Sequence, residues 1–196
     1  METNDLTMME LNDMISAIID EEEKTMLNSK VADLLNDQIN KELYSAYLYL
    51  DFANYYESKG LEGFANWYKI QAQEERDHAM LFYQYLHNNG AKVTLEAIGK
   101  PDKVFENLMD PLTYGLQHEE YVTSLINNIY AVALEVHDFR TMQFLDWFIK
   151  EQGEEETNAQ HLISKMELVG MNAKGGLYMM DSELKTRVYT APSLTL

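Results

Sequence analysis

Several glutamates and one histidine in this chain recur at spacings that suit a metal-ion site. Glu75 and His78 lie three residues apart, so on a helix both side chains project from the same face. In four segments a periodic apolar stripe becomes polar near its middle, at Glu42, Glu75, His78, Glu119, Gln152 and Glu155. Because one imidazole among carboxylates suits iron, manganese or zinc better than magnesium or calcium, this set predicts a transition-metal centre.

The charges of these residues favour two metal ions. In a bundle the midpoints of packed helices lie at about the same height, so the four glutamates should meet around one point. Without compensation, buried carboxylates are costly and raise one another's pKa. Two divalent cations would balance the charges of Glu42, Glu75, Glu119 and Glu155. The Glu-x-x-His pair is a ligand pattern of di-iron bundles, and iron is the natural choice where redox work is done.

Each of these residues has a plainer interpretation when it is taken alone. A single glutamate on an apolar stripe more often reaches solvent, and a lone His78 would more often be a hydrogen-bonded core residue. Tyr49 lies two turns beyond Glu42, where core packing is the alternative. The coincidence of polar positions on four helices outweighs these interpretations. His118 is offset from Glu119 by about 100° and is predicted to lie on the surface, as are His87, His137 and His161.

The segments that would position these residues are helical. Apolar residues recur at steps of three and four, and there are only three prolines. Four long helices are predicted, from about Asn28 to Ser58, Glu62 to Asn88, Pro111 to Val136 and Phe139 to Val169. Residues 90–110 predict a long connection. A short fifth helix is predicted from about Asp181 to Val188, with Asp181 or Ser182 as N-cap. The fold class is therefore all-α, a ferritin-like four-helix bundle with one long crossover and a short fifth C-terminal helix.

Composition excludes several classes of function. The 196 residues include 33 acids and 15 bases, for a formal charge of -18, which argues against nucleic acid and anionic membranes as partners. The charge favours cations, although acidity that serves solubility alone explains it equally well. The absence of cysteine excludes disulfides, thiolate metal sites, iron–sulfur clusters and cysteine nucleophiles.

The chain divides into two parts of unequal size. Residues 1–27 are predicted to form an acidic amphipathic N-terminal extension, and residues 28–196 a di-iron domain. The extension has neither the basic start of a signal peptide nor the apolar length of a membrane span, so the expected location is the cytoplasm.

Four motifs of this chain closely resemble those of bacterial non-haem ferritin. They are Asn40-Lys-Glu-Leu-Tyr-Ser45, Gln73-Glu-Glu-Arg-Asp-His78, His118-Glu119 and Trp147-Phe-Ile-Lys-Glu-Gln-Gly-Glu-Glu-Glu156. The resemblance runs from about Ser29 to Val188, and the 27-residue leader departs from it. It implies a ferroxidase in a homo-oligomeric shell of 24 subunits, which oxidises Fe(II) with dioxygen or hydrogen peroxide and stores ferric oxyhydroxide.

The resemblance also implies a role for each matching residue. The first iron would be held by Glu42, Glu75 and His78. The second would be held by Glu75, Glu119 and Glu155, so that Glu75 bridges. Gln152 would hydrogen-bond nearby, and Tyr49 would be a neighbouring partner that supplies an electron. A third iron site would map to Glu74, Glu151, Glu154 and Glu155, for which a solvated acidic face is the alternative.

Other functions remain as alternatives at this point. One is a metal-storage or scaffold shell of the same fold without catalysis. Another is a helical interaction protein without metal, which would give no reason for polar midpoints on four stripes. No motif among the 12 methionines predicts a haem ligand, so no haem is expected.

Overall fold

A computed structural model describes residues 25–171 and 173–196 of the chain. This part is all-α, with helices α1 Ser29–Ser58, α2 Glu62–Asn88, α3 Asp110–Glu135, α4 Phe139–Val169 and α5 Lys174–Leu184. Residues 1–24, and with them most of the predicted N-terminal extension, lie outside the described residues. No helix in the described ranges is both long enough and apolar enough to cross a membrane.

The four long helices form two pairs joined by a long crossover. α1 packs mainly on α2 and α3 mainly on α4, with further contacts between α1 and α3. The crossover between α2 and α3 runs along α1, where the side chain of Asn36 both donates to Thr94 O at 3.0 Å and accepts from Thr94 N at 2.8 Å. This two-way hydrogen bond fixes the crossover to the bundle, and the predicted bundle with one long crossover is confirmed.

The core consists of two apolar clusters separated by a polar layer. One cluster includes Leu35, Phe82, Ile126 and Phe148. The other includes Phe52, Phe64, Leu112 and Met166. Each long helix contributes to both clusters and places a buried polar residue between them, as the stripes of the sequence predict. The apolar clusters bury the hydrophobic surface that stabilises the bundle, so the polar layer is not needed for the stability of the fold.

Most helix boundaries agree with the sequence, but the fifth helix was predicted incorrectly. It spans Lys174–Leu184 rather than residues 181–188. Gly176 lies inside the helix, where a Cβ atom would lie 3.0 Å from Val169 Cβ. Gly176 therefore allows α5 to turn back closely on the end of α4, and glycine here marks a close approach rather than a break.

Asp181 caps a helix other than its own. Its Oδ1 accepts from Gly63 N at 2.8 Å and from Phe64 N at 3.1 Å, at the first turn of α2. The N-cap residue Leu61 has no side-chain hydrogen bond to offer, so α5 supplies the missing acceptor. A Cβ on Gly63 would lie 1.7 Å from Asp181 O, so only glycine permits this approach.

The Gly63→Ala substitution should therefore destabilise the protein by about 1–3 kcal/mol, the usual cost of overpacking, because α5 must move away and the cap is lost. Urea denaturation of the apo-protein measures the change. Gly153→Ala is the matched control, because a Cβ there meets nothing within 4 Å. Alanine should stabilise that helical position by up to about 1 kcal/mol. Equal effects of the two substitutions would contradict the close packing at Gly63.

Candidate metal centre

Three side chains of the polar layer form a group of the size that binds one metal ion. Glu42 comes from α1, while Glu75 and His78 come from consecutive turns of α2. One ligand atom of each lies within 4.8 Å of those of the other two, and each residue is only 2% exposed. His78 Nδ1 is 3.5 Å from Glu75 Oε2.

Glu42 presents an oxygen whose bonding capacity is unused. Gln38 Nε2 donates to Glu42 Oε1 at 2.9 Å, which fixes the carboxylate from one side. Among the described residues, Glu42 Oε2 is the fully buried side-chain oxygen that receives no hydrogen bond from a permanent donor. Glu75 can pair with it only when one of the two carboxyl groups is protonated. Buried polar atoms are nearly always satisfied, so the chemistry of this carboxylate oxygen, beside Glu75 and His78, fits a ligand of a cation.

Glu119 and Glu155 extend the acidic layer across α3 and α4. Tyr49 donates its hydroxyl hydrogen to Glu119 Oε1, and Gln152 Nε2 donates to Glu119 Oε2 at 3.2 Å. Gln71 Nε2 donates to Glu155 Oε2 at 2.6 Å. Both glutamates line a small cavity of about 20 Å³, which is large enough for one water-sized group.

The buried carboxylates have raised pKa values. Burial is the main cause for Glu42 and Glu75, followed by the charge of Glu75 on Glu42 and of Glu119 on Glu75. Burial and then the charge of Glu119 raise the pKa of Glu155 to about 8. The layer is therefore an arrangement of mutually repelling acids that a divalent cation would stabilise.

The residues predicted for a third site lie at the edge of this layer. Glu74 and Glu151 are half-buried and Glu154 is exposed. Two of the three are already paired with cationic side chains, Glu74 with Arg187 Nη2 at 2.6 Å and Glu154 with Lys150 at 3.3 Å. The third site therefore stays a prediction.

The prediction that His118 lies on the surface was wrong. His118 is half-buried against α1, where a ring nitrogen shares a hydrogen bond of 2.7 Å with Ser45 Oγ. Burial and then Lys103 lower its pKa to about 4, so it stays neutral. Its offset from Glu119 places it where α1 packs against α3. The sequence of α3 alone does not show that α1 covers this position. His87, His137 and His161 are exposed, as predicted.

Two other polar residues support the layer. Gln71 lies one turn before Glu75 on the buried face of α2, and its side-chain nitrogen donates to Glu155. Arg187 lies beyond α5, and no sequence spacing links it to Glu74, 113 residues away.

The ring of Trp147 packs edge-on against His78, with ring centres 5.5 Å apart.

A helical bundle with one long crossover, a fifth helix and a buried Glu–Glu–His group defines the ferritin-like class of proteins. The family model of the ferritin-like domain matches residues 32–169, and the chain belongs to this family.

Curated relatives and solved structures agree with this assignment. The chain is 35% identical to a bacterial non-haem ferritin of Campylobacter jejuni over 160 residues, which are 82% of this chain and 95% of the relative. It is 34% identical to a bacterial non-haem ferritin of Staphylococcus aureus over 84% of this chain and 98% of the relative. An open pore ferritin from the archaeon Archaeoglobus fulgidus superposes with a TM-score of 0.80 at 38% identity, covering 83% of this chain and 99% of the other. The resemblance to bacterial non-haem ferritin is therefore confirmed.

The raised pKa values predict that the apo-protein loses stability as the pH rises. Groups such as Glu155, with a folded pKa of about 8 against an unfolded value of 4.5, bind more protons in the folded state between these values. Their contribution is complete below the unfolded pKa and is lost as the pH rises through the folded pKa. The melting temperature of the apo-protein should therefore fall between pH 6 and pH 8, by roughly several degrees.

A saturating divalent ion such as Zn²⁺ should remove most of this decrease by binding only the folded state. Glu155→Gln, which has a similar shape and cannot ionise, should show a smaller decrease without metal. A melting temperature that is independent of both pH and Zn²⁺ would contradict a clustered set of carboxylates.

Proposed function

We propose that this protein oxidises Fe(II) to Fe(III) at a pair of iron positions inside each subunit and stores the product in a homo-oligomeric shell. Membership of the ferritin family supports iron storage. The observation that carries the catalytic part is that Glu42 Oε2 receives no hydrogen bond from a permanent donor and lies beside ligand atoms of Glu75 and His78, within a layer of carboxylates that repel one another.

Iron is the substrate, and the residues divide between its two positions. The first iron binds Glu42, Glu75 and His78, whose ligand atoms already lie within 4.8 Å of one another. The second binds Glu119 and Glu155, which line the same small cavity. Glu75 bridges the two, in agreement with the effect of Glu119 and Glu155 on its pKa.

The acidic layer favours oxidation of the bound iron. Fe(III) is a harder and more highly charged cation than Fe(II), so buried carboxylates stabilise it more. Two Fe(II) ions each give up one electron to dioxygen, and two protons complete hydrogen peroxide. With hydrogen peroxide as the oxidant, the same two electrons and two protons yield two molecules of water.

Tyr49 and Gln152 orient Glu119 during this reaction. The two side chains donate to different oxygens of Glu119, which sets the direction of its remaining lone pairs. Tyr49 is fully buried and its hydroxyl is hydrogen-bonded to Glu119, a ligand of the second iron in this proposal. Tyr49 is therefore also placed to supply a further electron.

The remaining assignments concern assembly and the path of the product. The shell is proposed to have 24 subunits and to act in the cytoplasm. Ferric iron leaves the paired positions for the interior through a third, weaker position formed by Glu74, Glu151, Glu154 and Glu155. No observation favours the alternative of a storage or scaffold shell without catalysis, and the experiment below separates the two.

Glu75→Gln should reduce the initial rate of Fe(II) oxidation by at least about tenfold, because it removes the bridging carboxylate while keeping its volume. His78→Ala should lose binding mainly at the first position. Fe(II) is added anaerobically to the assembled protein, air is admitted, and the near-ultraviolet absorbance of ferric species is followed.

Glu120→Gln is the matched control, because Glu120 is the exposed neighbour of Glu119 and its loss leaves the buried layer intact. It should oxidise iron at the wild-type rate. If Glu75→Gln also retained that rate in an assembled shell, the catalytic assignment would be wrong. If wild type stored iron without any rapid oxidation, the shell without catalysis would be the correct alternative.

A further inference from the structure

Arg187 lies three residues beyond α5 and reaches back onto one face of α2. Its Nη1 donates to Gln71 Oε1 at 2.8 Å and to Trp67 O at 3.2 Å. Its Nη2 donates to Glu74 Oε2 at 2.6 Å, and the guanidinium lies 4.0 Å from the centre of the Trp67 ring. The Arg187 and Glu74 side chains are 18% and 17% exposed, so this ion pair is largely removed from water.

These contacts determine the orientation of the Gln71 amide. A guanidinium can only donate, so the Gln71 oxygen must face Arg187. The Gln71 nitrogen then faces the other way and donates to Glu155 Oε2 at 2.6 Å. Arg187 thus positions Glu155, a proposed ligand of the second iron, through the side chain of Gln71.

The same guanidinium also binds an outer carboxylate. Glu74 belongs to the predicted third iron position with Glu151, and both side chains are half-buried at the edge of the polar layer. A metal ion that binds Glu74 Oε2 competes with Arg187 Nη2 for the lone pairs of that oxygen. A fixed positive charge beside this group also repels an arriving cation.

We propose that Arg187 is a positioning residue that acts as a built-in cation for the outer acidic group, and this inference rests on the proposed function. It weakens metal binding at Glu74 and Glu151, so that a third iron stays there only briefly. Through Gln71 it also keeps one oxygen of Glu155 engaged, which leaves the other oxygen for the paired iron position. The outer group therefore passes iron on rather than retaining it.

The test compares metal binding by the assembled apo-protein and its Arg187→Gln variant, using Zn²⁺ as a probe that has no redox chemistry. In wild type, calorimetry should show two tightly bound Zn²⁺ per subunit and a third that is much weaker. In Arg187→Gln the third Zn²⁺ should bind about tenfold more tightly or better, the size of effect expected from removing a charged hydrogen bond to a partly buried carboxylate.

Two further variants identify the cause. Arg187→Lys keeps a charge beside Glu74 and should leave the third Zn²⁺ nearly as weak as in wild type. The double variant Arg187→Gln with Glu74→Gln should lose the gain, because the outer ligand is gone. Lys185→Gln is the matched control two residues away. Lys185 pairs with Glu62 on the exposed surface, and its loss should not change the third affinity.

The outcomes separate this inference from the proposed function. If two Zn²⁺ bind normally and the third affinity is the same in wild type and Arg187→Gln, the inference is overturned while the paired site stands. A variant with a lower melting temperature and unchanged Zn²⁺ binding would give Arg187 a structural role only, which also overturns it. If wild type binds no Zn²⁺ at the paired site and does not oxidise Fe(II), both proposals fall.

Discussion

The burial of mutually repelling carboxylates in one layer is the constraint on which the rest of this structure depends. Glu42, Glu75, Glu119 and Glu155 lie between two apolar clusters, where each charged form is disfavoured by loss of water and by its neighbours. The apolar clusters on either side must therefore supply enough stability to offset the free-energy cost of burying these carboxylates. A cation bound as proposed would require little rearrangement of Glu42, Glu119 and Glu155, because the hydrogen bonds that orient these side chains are already formed.

The C-terminal segment completes the bundle in two places on α2. Asp181 satisfies the first turn of that helix, and Arg187 contacts its middle beside the acidic layer. Gly63 and Gly176 permit the two close approaches that bring the segment there. The fifth helix is thus a means of positioning distant groups against the helix that carries Glu75 and His78, in addition to covering apolar surface.

Periodicity predicted what depends on local pattern. Apolar stripes that run along single helices predict the boundaries of α2 and α4 and the two-pair bundle. They also predict which polar residues are buried, namely Glu42, Glu75, His78, Glu119, Gln152 and Glu155. Features that depend on which helices meet could not be predicted in this way. Asp181 looked like the cap of its own helix because the sequence does not show that Leu61 leaves another helix uncapped. His118 and Arg187 likewise take their roles from partners more than seventy residues away.

The two tryptophans give the protein a pair of internal optical reporters. Trp147 packs against His78, in the group proposed to bind the first iron, whereas Trp67 lies beneath Arg187 at the outer acidic group. With only 2 tryptophans in the sequence, there is no background emission from other indoles. Replacing either one by phenylalanine would leave a single tryptophan beside one proposed metal position, so excitation selective for tryptophan would follow the proposed binding of iron at the inner and outer groups in real time without an added label.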